Sequence, residues 1–263
     1  MRLFVTNDDG VYAPGIAALA KALKAGGHLA TVVAPDRERS SVGHAITLTR
    51  PLRVWSVVSD LYPHDLDVHA CDGTPSDCVV LGVDEVSSGT DIVISGINNG
   101  PNLGDDITYS GTVSAAMEGS IMGYPSVAVS LNCSRGDEEL HYDAAAAVVV
   151  RLVDWLSHNP MTDDIVLNVN VPNLPLTMMK GLKVTHKGVR VYADKVTKLQ
   201  DPFGRTYYWV AGKPEDDLVE GSDVWAVAHG YVSITPIHMD MTHYGTLDTL
   251  RSGGLEKTRI SED

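Results

Sequence analysis

Basic residues are scarce: 20 Lys and Arg stand against 34 Asp and Glu, a formal charge of -14 over 263 residues. That deficit excludes nucleic acid polymers and anionic membrane surfaces as partners held by charge. A small phosphate ester stays compatible, because a bound divalent cation reverses the potential locally. Cysteine is also sparse. Cys71, Cys78 and Cys133 are odd in number and lack C-x-x-C spacing, which excludes a disulfide framework and a Cys-rich zinc site and suits a cytoplasmic protein. Membrane-length apolar runs are missing too: Ala144 to Val150 stops after seven residues, against the roughly 20 needed to span a bilayer. Strand-like residues begin within three positions of Met1, leaving no room for a signal peptide. There is no internal repeat and no low-complexity segment. What is present is 44% hydrophobic residues, enough for a substantial core, in a length that fits one large domain or a domain plus an extension.

The apolar run Leu3-Phe4-Val5 is followed at once by Asn7-Asp8-Asp9-Gly10. Neighbouring side chains on a strand point to opposite faces, so Asp8 and Asp9 converge on one ligand only if the chain has already turned, and Gly10 and Pro14 supply the turn. Two hard carboxylates at the end of a first strand suit Mg²⁺, Mn²⁺ or Ca²⁺. Taken alone, the dipeptide is explained equally by an Asx-turn with an Asp capping the next helix.

Ile16, Leu19, Ala20 and Leu23 then form an apolar helical stripe that Gly26 and Gly27 end. Leu29 to Ala34 reads as a buried strand closed by Pro35, followed by the polar run Asp36 to Ser41. A short strand is expected at Val68 to Ala70, and a helix through Val79, Val80 and Val83 capped by Ser76 or Asp77. Asp91 to Ser95 reads as a strand, Gly96 to Gly111 as a long functional loop, and Thr112 as the start of a helix broken at Gly123-Tyr124-Pro125. Ser126 to Leu131 and Ile165 to Val171 read as strands flanking a helix from about Tyr142 to Leu156. The alternation predicts an α/β fold with a mainly parallel sheet and helices on both faces, an α/β catalytic core over 1–177. From about Met178 the rhythm changes. Leu182 to Val184, Thr206 to Val210 and Tyr231 to Thr235 read as strands with no strong helix among them. The segment 178–263 is therefore a β-rich C-terminal extension packed on the core, with a hairpin turn at Asp201-Pro202-Phe203-Gly204 suited to subunit contact and a polar, mobile tail from Ser252 to Asp263.

Three loops fall at the carboxyl ends of parallel strands and are neighbours in space. They bring Asp8 and Asp9, Ser40, and Asn98 to one oxygen-rich place. The third runs into Tyr109-Ser110-Gly111-Thr112 at a helix start, where free N–H groups favour a phosphate. Each feature alone has a plain structural reading: Ser110 or Thr112 as an N-cap, Ser40 as a turn residue, Asn98 as a loop residue bonding its own backbone. Asp8 and Asp9 are the catalytic candidates, Asp9 as the group that handles the water's proton, with Asn102, Ser110, Gly111 and Thr112 as substrate-binding candidates. His44 is a candidate leaving-group acid or a structural polar residue.

These residues carry a family resemblance. Asn7-Asp8-Asp9-Gly10 with Ala13-Pro14-Gly15, Ala34-Pro35-Asp36-Arg37 with Arg39-Ser40, Ser95 to Gly100 with Asn102-Leu103-Gly104, Tyr109 to Val113, Ala115 to Gly119, and Gly230 to Pro236 resemble, in order, the blocks of the SurE (survival protein E) 5′-nucleotidases. The resemblance implies a Rossmann-like fold and one divalent metal ion per subunit, Mg²⁺, Mn²⁺ or Ca²⁺, held by Asp8, Asp9, Ser40 and Asn98. It implies hydrolysis of nucleoside monophosphates to nucleoside and phosphate, with 3′-nucleotides and polyphosphate as open extensions. It further implies a homodimer or homotetramer that exchanges C-terminal segments. Ser41 departs from the pattern, standing where the family often has Gly. The competing expectations are a nucleoside hydrolase with a Ca²⁺-binding acidic cluster, and a nucleotide-binding sensor without turnover.

Overall fold

The computed structural model describes residues 1–134, 136–162, 164–193, 196–210 and 212–258. Leu3, Phe4 and Val5 of β1 (Arg2–Thr6) are buried on both faces, as a central parallel strand requires. α1 (Pro14–Ala25) buries Ile16, Leu19, Ala20 and Leu23 and returns the chain to β2 (Leu29–Pro35). β3 (Val54–Ser56), which the sequence reading missed, and β4 (Asp67–Cys71) follow. α2 (Pro75–Leu81) is capped by Thr74 rather than by Ser76 or Asp77. The Thr74 hydroxyl accepts from Asp77 N–H, and the Asp77 carboxylate accepts from Thr74 N–H, so Asp77 is the third-residue partner of a capping box.

A π-helical turn, Gly82–Val86, leads to β5 (Ile92–Asn99), so the expected loop from Gly96 begins as strand. A 3₁₀ turn, Gly104–Tyr109, precedes α3 (Gly111–Ile121), whose N-cap is Ser110 and whose first residue is Gly111, one earlier than expected. β6 (Ser126–Asn132), α4 (Tyr142–His158) and β7 (Ile165–Pro172) match expectation closely. In the later segment come β8 (Leu182–Val184), β9 (Arg190–Ala193), β10 (Val196–Gln200), β11 (Thr206–Val210) and β12 (Lys213–Asp216). α5 (Asp223–Ala228), β13 (Val232–His238) and α6 (Tyr244–Ser252) complete the described chain.

Among the strands expected between Leu182 and Thr235 the structure adds one short helix, α5, and beyond them a second, α6. α5 is six residues long, too short to show a helical period, and exists because Ser222 caps it and Val224, Ala226 and Val227 pack inward. α6 buries nothing, so no apolar stripe announced it; its Ser252 belongs to the expected tail, of which 259–263 lie outside the described residues.

Among the described residues a nine-stranded sheet runs β3-β4-β2-β1-β5-β6-β7-β13-β8. β4 through β7 are parallel, while β3 and β13 pair antiparallel with β4 and β7. β8 and β13 thus extend the core sheet from within the segment after 178. α1 and α4 pack together on one face and α2 and α3 on the other. β2 lies on one side of β1 and β5 on the other, so the connections diverge there. A crevice opens at the carboxyl ends of those strands.

α1 approaches that crevice closely because of one glycine. A Cβ on Gly15 would lie 2.1 Å from the Ile97 carbonyl oxygen, one residue before Asn98. Helix propensity alone favours Ala over Gly by about 1 kcal/mol. Here overlap with backbone reverses the sign, and Gly15→Ala should destabilise the protein by about 1–3 kcal/mol. Urea unfolding checks this; a stabilised variant contradicts it.

Candidate metal and phosphate site

The first loop is stapled by its own asparagine. Asn7 Nδ2 donates to the Gly10 carbonyl (3.1 Å) and Gly10 N–H donates to Asn7 Oδ1 (3.2 Å), with Gly10 at φ 98°. Only glycine takes that backbone easily. The turn sends Asp8 and Asp9 to different neighbours. Asp8 is 4% exposed, and its Oδ1 accepts a short hydrogen bond from the Thr112 hydroxyl in the first turn of α3. Gly111 makes that approach possible, since a Cβ there would lie 2.8 Å from Asp8 Oδ2. Asp9 Oδ2 accepts from Asn99 N–H (2.9 Å) at the end of β5. The second loop is tied in by Arg39 N–H, which donates to the Asp8 carbonyl (2.7 Å), one residue before Ser40.

Asp8, Ser40 and Asn98 therefore line one cleft of ≈ 710 Å³, together with Asn102 and Ser110. Asp9 lines an adjoining hollow with Glu38, Asn99 and Tyr142. Asn98 Nδ2 donates to the Gly100 carbonyl (2.8 Å), which leaves its Oδ1 as the amide's acceptor. Ser40 Oγ donates to Glu38 (2.8 Å). Ser41, at φ 58°, holds a left-handed conformation that costs a side-chain-bearing residue roughly 1–2 kcal/mol and that glycine adopts freely.

Burial pushes the Asp8 carboxyl up to about 6; the Thr112 hydroxyl works against this and the neighbouring Asp9 charge adds to it. Asp9 is also raised, by burial first and by Glu38, while Asn99 N–H opposes. None of the ion pairs among the described residues includes Asp8 or Asp9. Nor do three His, Cys, Asp or Glu side chains group as a metal site among them. The candidate donors are instead the Asp8 carboxylate, the Ser40 hydroxyl and the Asn98 amide oxygen of the cleft, with the Asp9 carboxylate in the adjoining hollow. All are hard, and the carboxylate charge is uncompensated, so the residues fit a divalent cation of the Mg²⁺, Mn²⁺ or Ca²⁺ type.

The expected phosphate seat is more occupied than its sequence suggested. The Ser110 hydroxyl accepts from Val113 N–H (3.0 Å) as the N-cap, and the Thr112 hydroxyl serves Asp8. Asn102 is pinned on its backbone and its side-chain amide by β6 and β7. His44 pairs with Glu118 (2.6 Å) and is not among the residues lining the cleft.

The far wall comes from the late segment, through Tyr192, Val210 and Gly212. Tyr192 hydroxyl donates to Asp106 Oδ2 (2.6 Å), which also accepts from Arg190 (3.1 Å), and Arg190 grips Asp216 through two nitrogens (2.6 and 2.8 Å). Sequence reasoning missed Glu38, Asp106, Arg190 and Tyr192. Glu38 sits between Arg37 and Arg39 in a mixed-charge run and Asp106 follows Asp105, but nothing local pairs Asp106 with a strand some 84 positions on.

The model of the family described as Survival protein SurE matches residues 3–194. A Geobacter metallireducens protein named 5′-nucleotidase SurE is 52% identical over 96% of this chain and 97% of its own length. A Legionella pneumophila protein of the same name is 49% identical over 95% and 96%. The solved structure of the SurE protein from Aquifex aeolicus superposes with a TM-score of 0.83 at 44% identity, covering 97% of this chain and all of that one.

The charge at Asp8 has a consequence for stability. Its folded pKa lies above its ordinary 3.8, so the stability it contributes is complete below about pH 4 and is lost as pH rises through about 6. Asp8→Asn keeps an acceptor for Thr112 without the charge. In chelator it should stabilise the protein at pH 8 by up to about 3 kcal/mol, with the gain vanishing near pH 4. Urea titrations at the two pH values decide; equal gains at both refute the assignment.

Proposed function

The chain belongs to the survival protein SurE family, and on that premise we propose that it is a 5′-nucleotidase. It hydrolyses nucleoside monophosphates to nucleoside and phosphate, with one divalent cation per subunit, Mg²⁺ or Mn²⁺, held by Asp8, Asp9, Ser40 and Asn98. One observation carries the site assignment: Asp8, Ser40 and Asn98 line a single cleft, with Asp9 in the adjoining hollow, and among the described residues no cationic side chain pairs with either carboxylate.

The chemistry a divalent cation supplies there is charge neutralisation at the phosphoryl oxygens and activation of the attacking water. The chain's own residues do the rest. Thr112 and the N-terminus of α3 hold Asp8 in one orientation, and the Gly100 carbonyl presents the Asn98 amide oxygen. Asp9, fixed through one oxygen by Asn99 N–H, keeps the other for the cation and for the attacking water, whose proton it takes; burial raises its pKa toward the range a general base needs. Asn102, Ser110, Gly111 and Thr112 form the phosphate side of the cleft, with backbone N–H groups of the first turn of α3 as the donors. Tyr192 and Val210 wall the side where the nucleoside lies.

The segment 178–263 serves as the assembly arm of a homodimer or homotetramer that exchanges C-terminal segments. Both faces of the β10–β11 hairpin are exposed, including Phe203 at 82% and Trp209 at 62%. A two-stranded hairpin is marginal by itself in water, and a second copy is the surface that would cover it. The unpaired cysteines suit a cytoplasmic setting, and no helix among the described residues is long and apolar enough to cross a membrane.

Purified protein should release inorganic phosphate from nucleoside 5′-monophosphates with Mg²⁺ or Mn²⁺, and none in excess chelator. Asp8→Asn should lose more than the roughly 100-fold typical of outer-shell changes. Free base from an unphosphorylated nucleoside, or nucleotide binding without phosphate release, would overturn the reading. Independently, Trp209→Asp should lower the oligomer order seen by sedimentation; an unchanged assembly rejects the hairpin as the contact.

A further inference from the structure

Four hydrogen bonds hold one residue of the cleft wall against the sheet. Asn102 N–H donates to Asn170 Oδ1 (2.9 Å), and its carbonyl accepts from Asn170 Nδ2 (3.0 Å) and Asn168 Nδ2 (2.9 Å). Its side-chain Nδ2 donates to Ser130 Oγ (2.8 Å). Asn168 and Asn170 stand two apart on β7, so they share a face, and Ser130 is the β6 partner of Asn170 in register. All three are wholly inaccessible to water. A buried amide adds little net stability when satisfied and costs about 1–3 kcal/mol when it is not, so stability alone favours apolar residues at these positions. Their geometry does something apolar residues cannot. The Asn170 amide meets both the N–H and the carbonyl of Asn102, fixing the backbone there in position and direction.

That constraint runs back along the chain to the cleft. Pro101 has a locked φ, so a fixed Asn102 limits where Gly100 can lie. Gly100 N–H is also tied to the Leu131 carbonyl of β6 (3.2 Å), and its own carbonyl accepts from Asn98 Nδ2 (2.8 Å). With Nδ2 so engaged, the Asn98 amide cannot flip, and Oδ1 is the atom it offers. We propose that Asn168 and Asn170 are positioning residues for the divalent-cation site: by clamping Asn102 they set the Gly100 carbonyl, and through it the orientation of the Asn98 ligand oxygen. The inference rests on the reading of Asn98 as a metal ligand. Neither asparagine touches substrate or the reacting atoms, so the effect appears as metal affinity rather than as a lost catalytic group.

The test is Mn²⁺ binding to the full chain, read from the electron paramagnetic resonance signal of free Mn²⁺, at a temperature where circular dichroism shows each variant folded. Asn170→Leu should raise the Mn²⁺ Kd by about 10–100-fold, the range for residues that orient metal ligands, and saturating Mn²⁺ should restore phosphate release in part. Asn168→Ala removes one of the two donors to the Asn102 carbonyl and should shift Kd the same way by less; it decides the matter if Asn170→Leu does not fold. Leu156→Ala, in α4 and remote from the cleft, should lose stability yet keep the wild-type Kd. A folded Asn170→Leu or Asn168→Ala with unchanged Kd overturns the proposal, as does an equal rise in Leu156→Ala, which would mark general loosening. Wild-type protein that binds no Mn²⁺ removes the metal-site reading itself, a failure visible before any variant is made.

Discussion

A carboxylate buried at the end of the central strand, with no cationic side chain beside it among the described residues, constrains everything around the cleft. Asp8 needs a hydroxyl and a helix N-terminus to be tolerated there, which brings α3 to within the reach of Thr112 and requires glycine at 111. It needs a turn that keeps it apart from Asp9, which Asn7 and Gly10 build between them. Even so burial raises its pKa, a cost that the divalent cation proposed for this site would relieve.

The late part of the chain is wired into the same place by carboxylates, of which Asp223 is fully buried. Asp223 accepts from Gly104 N–H (2.9 Å) and Gly188 N–H (2.7 Å), joining the turn after Asn102 to the segment before β9. Asp106 joins that turn to Arg190 and Tyr192. Burial works against the Arg190 charge, yet Asp216 and Asp106 hold its pKa above the ordinary value. Asp223 and Arg190 are buried, and their directional bonds fix one arrangement of two chain segments, whereas exposed pairs such as Lys187 with Asp105 add little. The cleft is therefore walled by residues far apart in sequence, and movement of the extension would be felt at the wall formed by Tyr192, Val210 and Gly212.

Much of the core was legible because its elements are long and strongly periodic. α1, α4, β2 and β7 have buried faces that follow directly from residue spacing, and the ends of β1 and β5 could be placed together once the sheet was read as parallel. The ligand candidates were legible for the same reason, since strand ends in such a sheet converge. The cap of α2 was misassigned because Thr74, Ser76 and Asp77 are all good cap formers, and only the capping box separates them. β3, β9, β10 and β12 are three to five residues long, below the length at which alternation is visible, and α5 and α6 are short or unburied. The hydroxyls of Ser110 and Thr112 looked free for phosphate because a sequence does not show that Val113 N–H and the Asp8 carboxylate are their partners.

By itself the amino-acid sequence determined the α/β class, the sheet's central strands, the oxygen-rich character of the site and the family, because these depend on local periodicity and on ordered motifs. Tertiary structure decided the rest: that Asp8 is buried against α3, that Asp9 turns to Asn99, that β7 asparagines clamp Asn102, and that β8 and β13 extend the core sheet. Those outcomes are pairings between residues tens of positions apart, and a hydrogen bond or a buried charge is set by distance in space, which spacing along the chain does not specify.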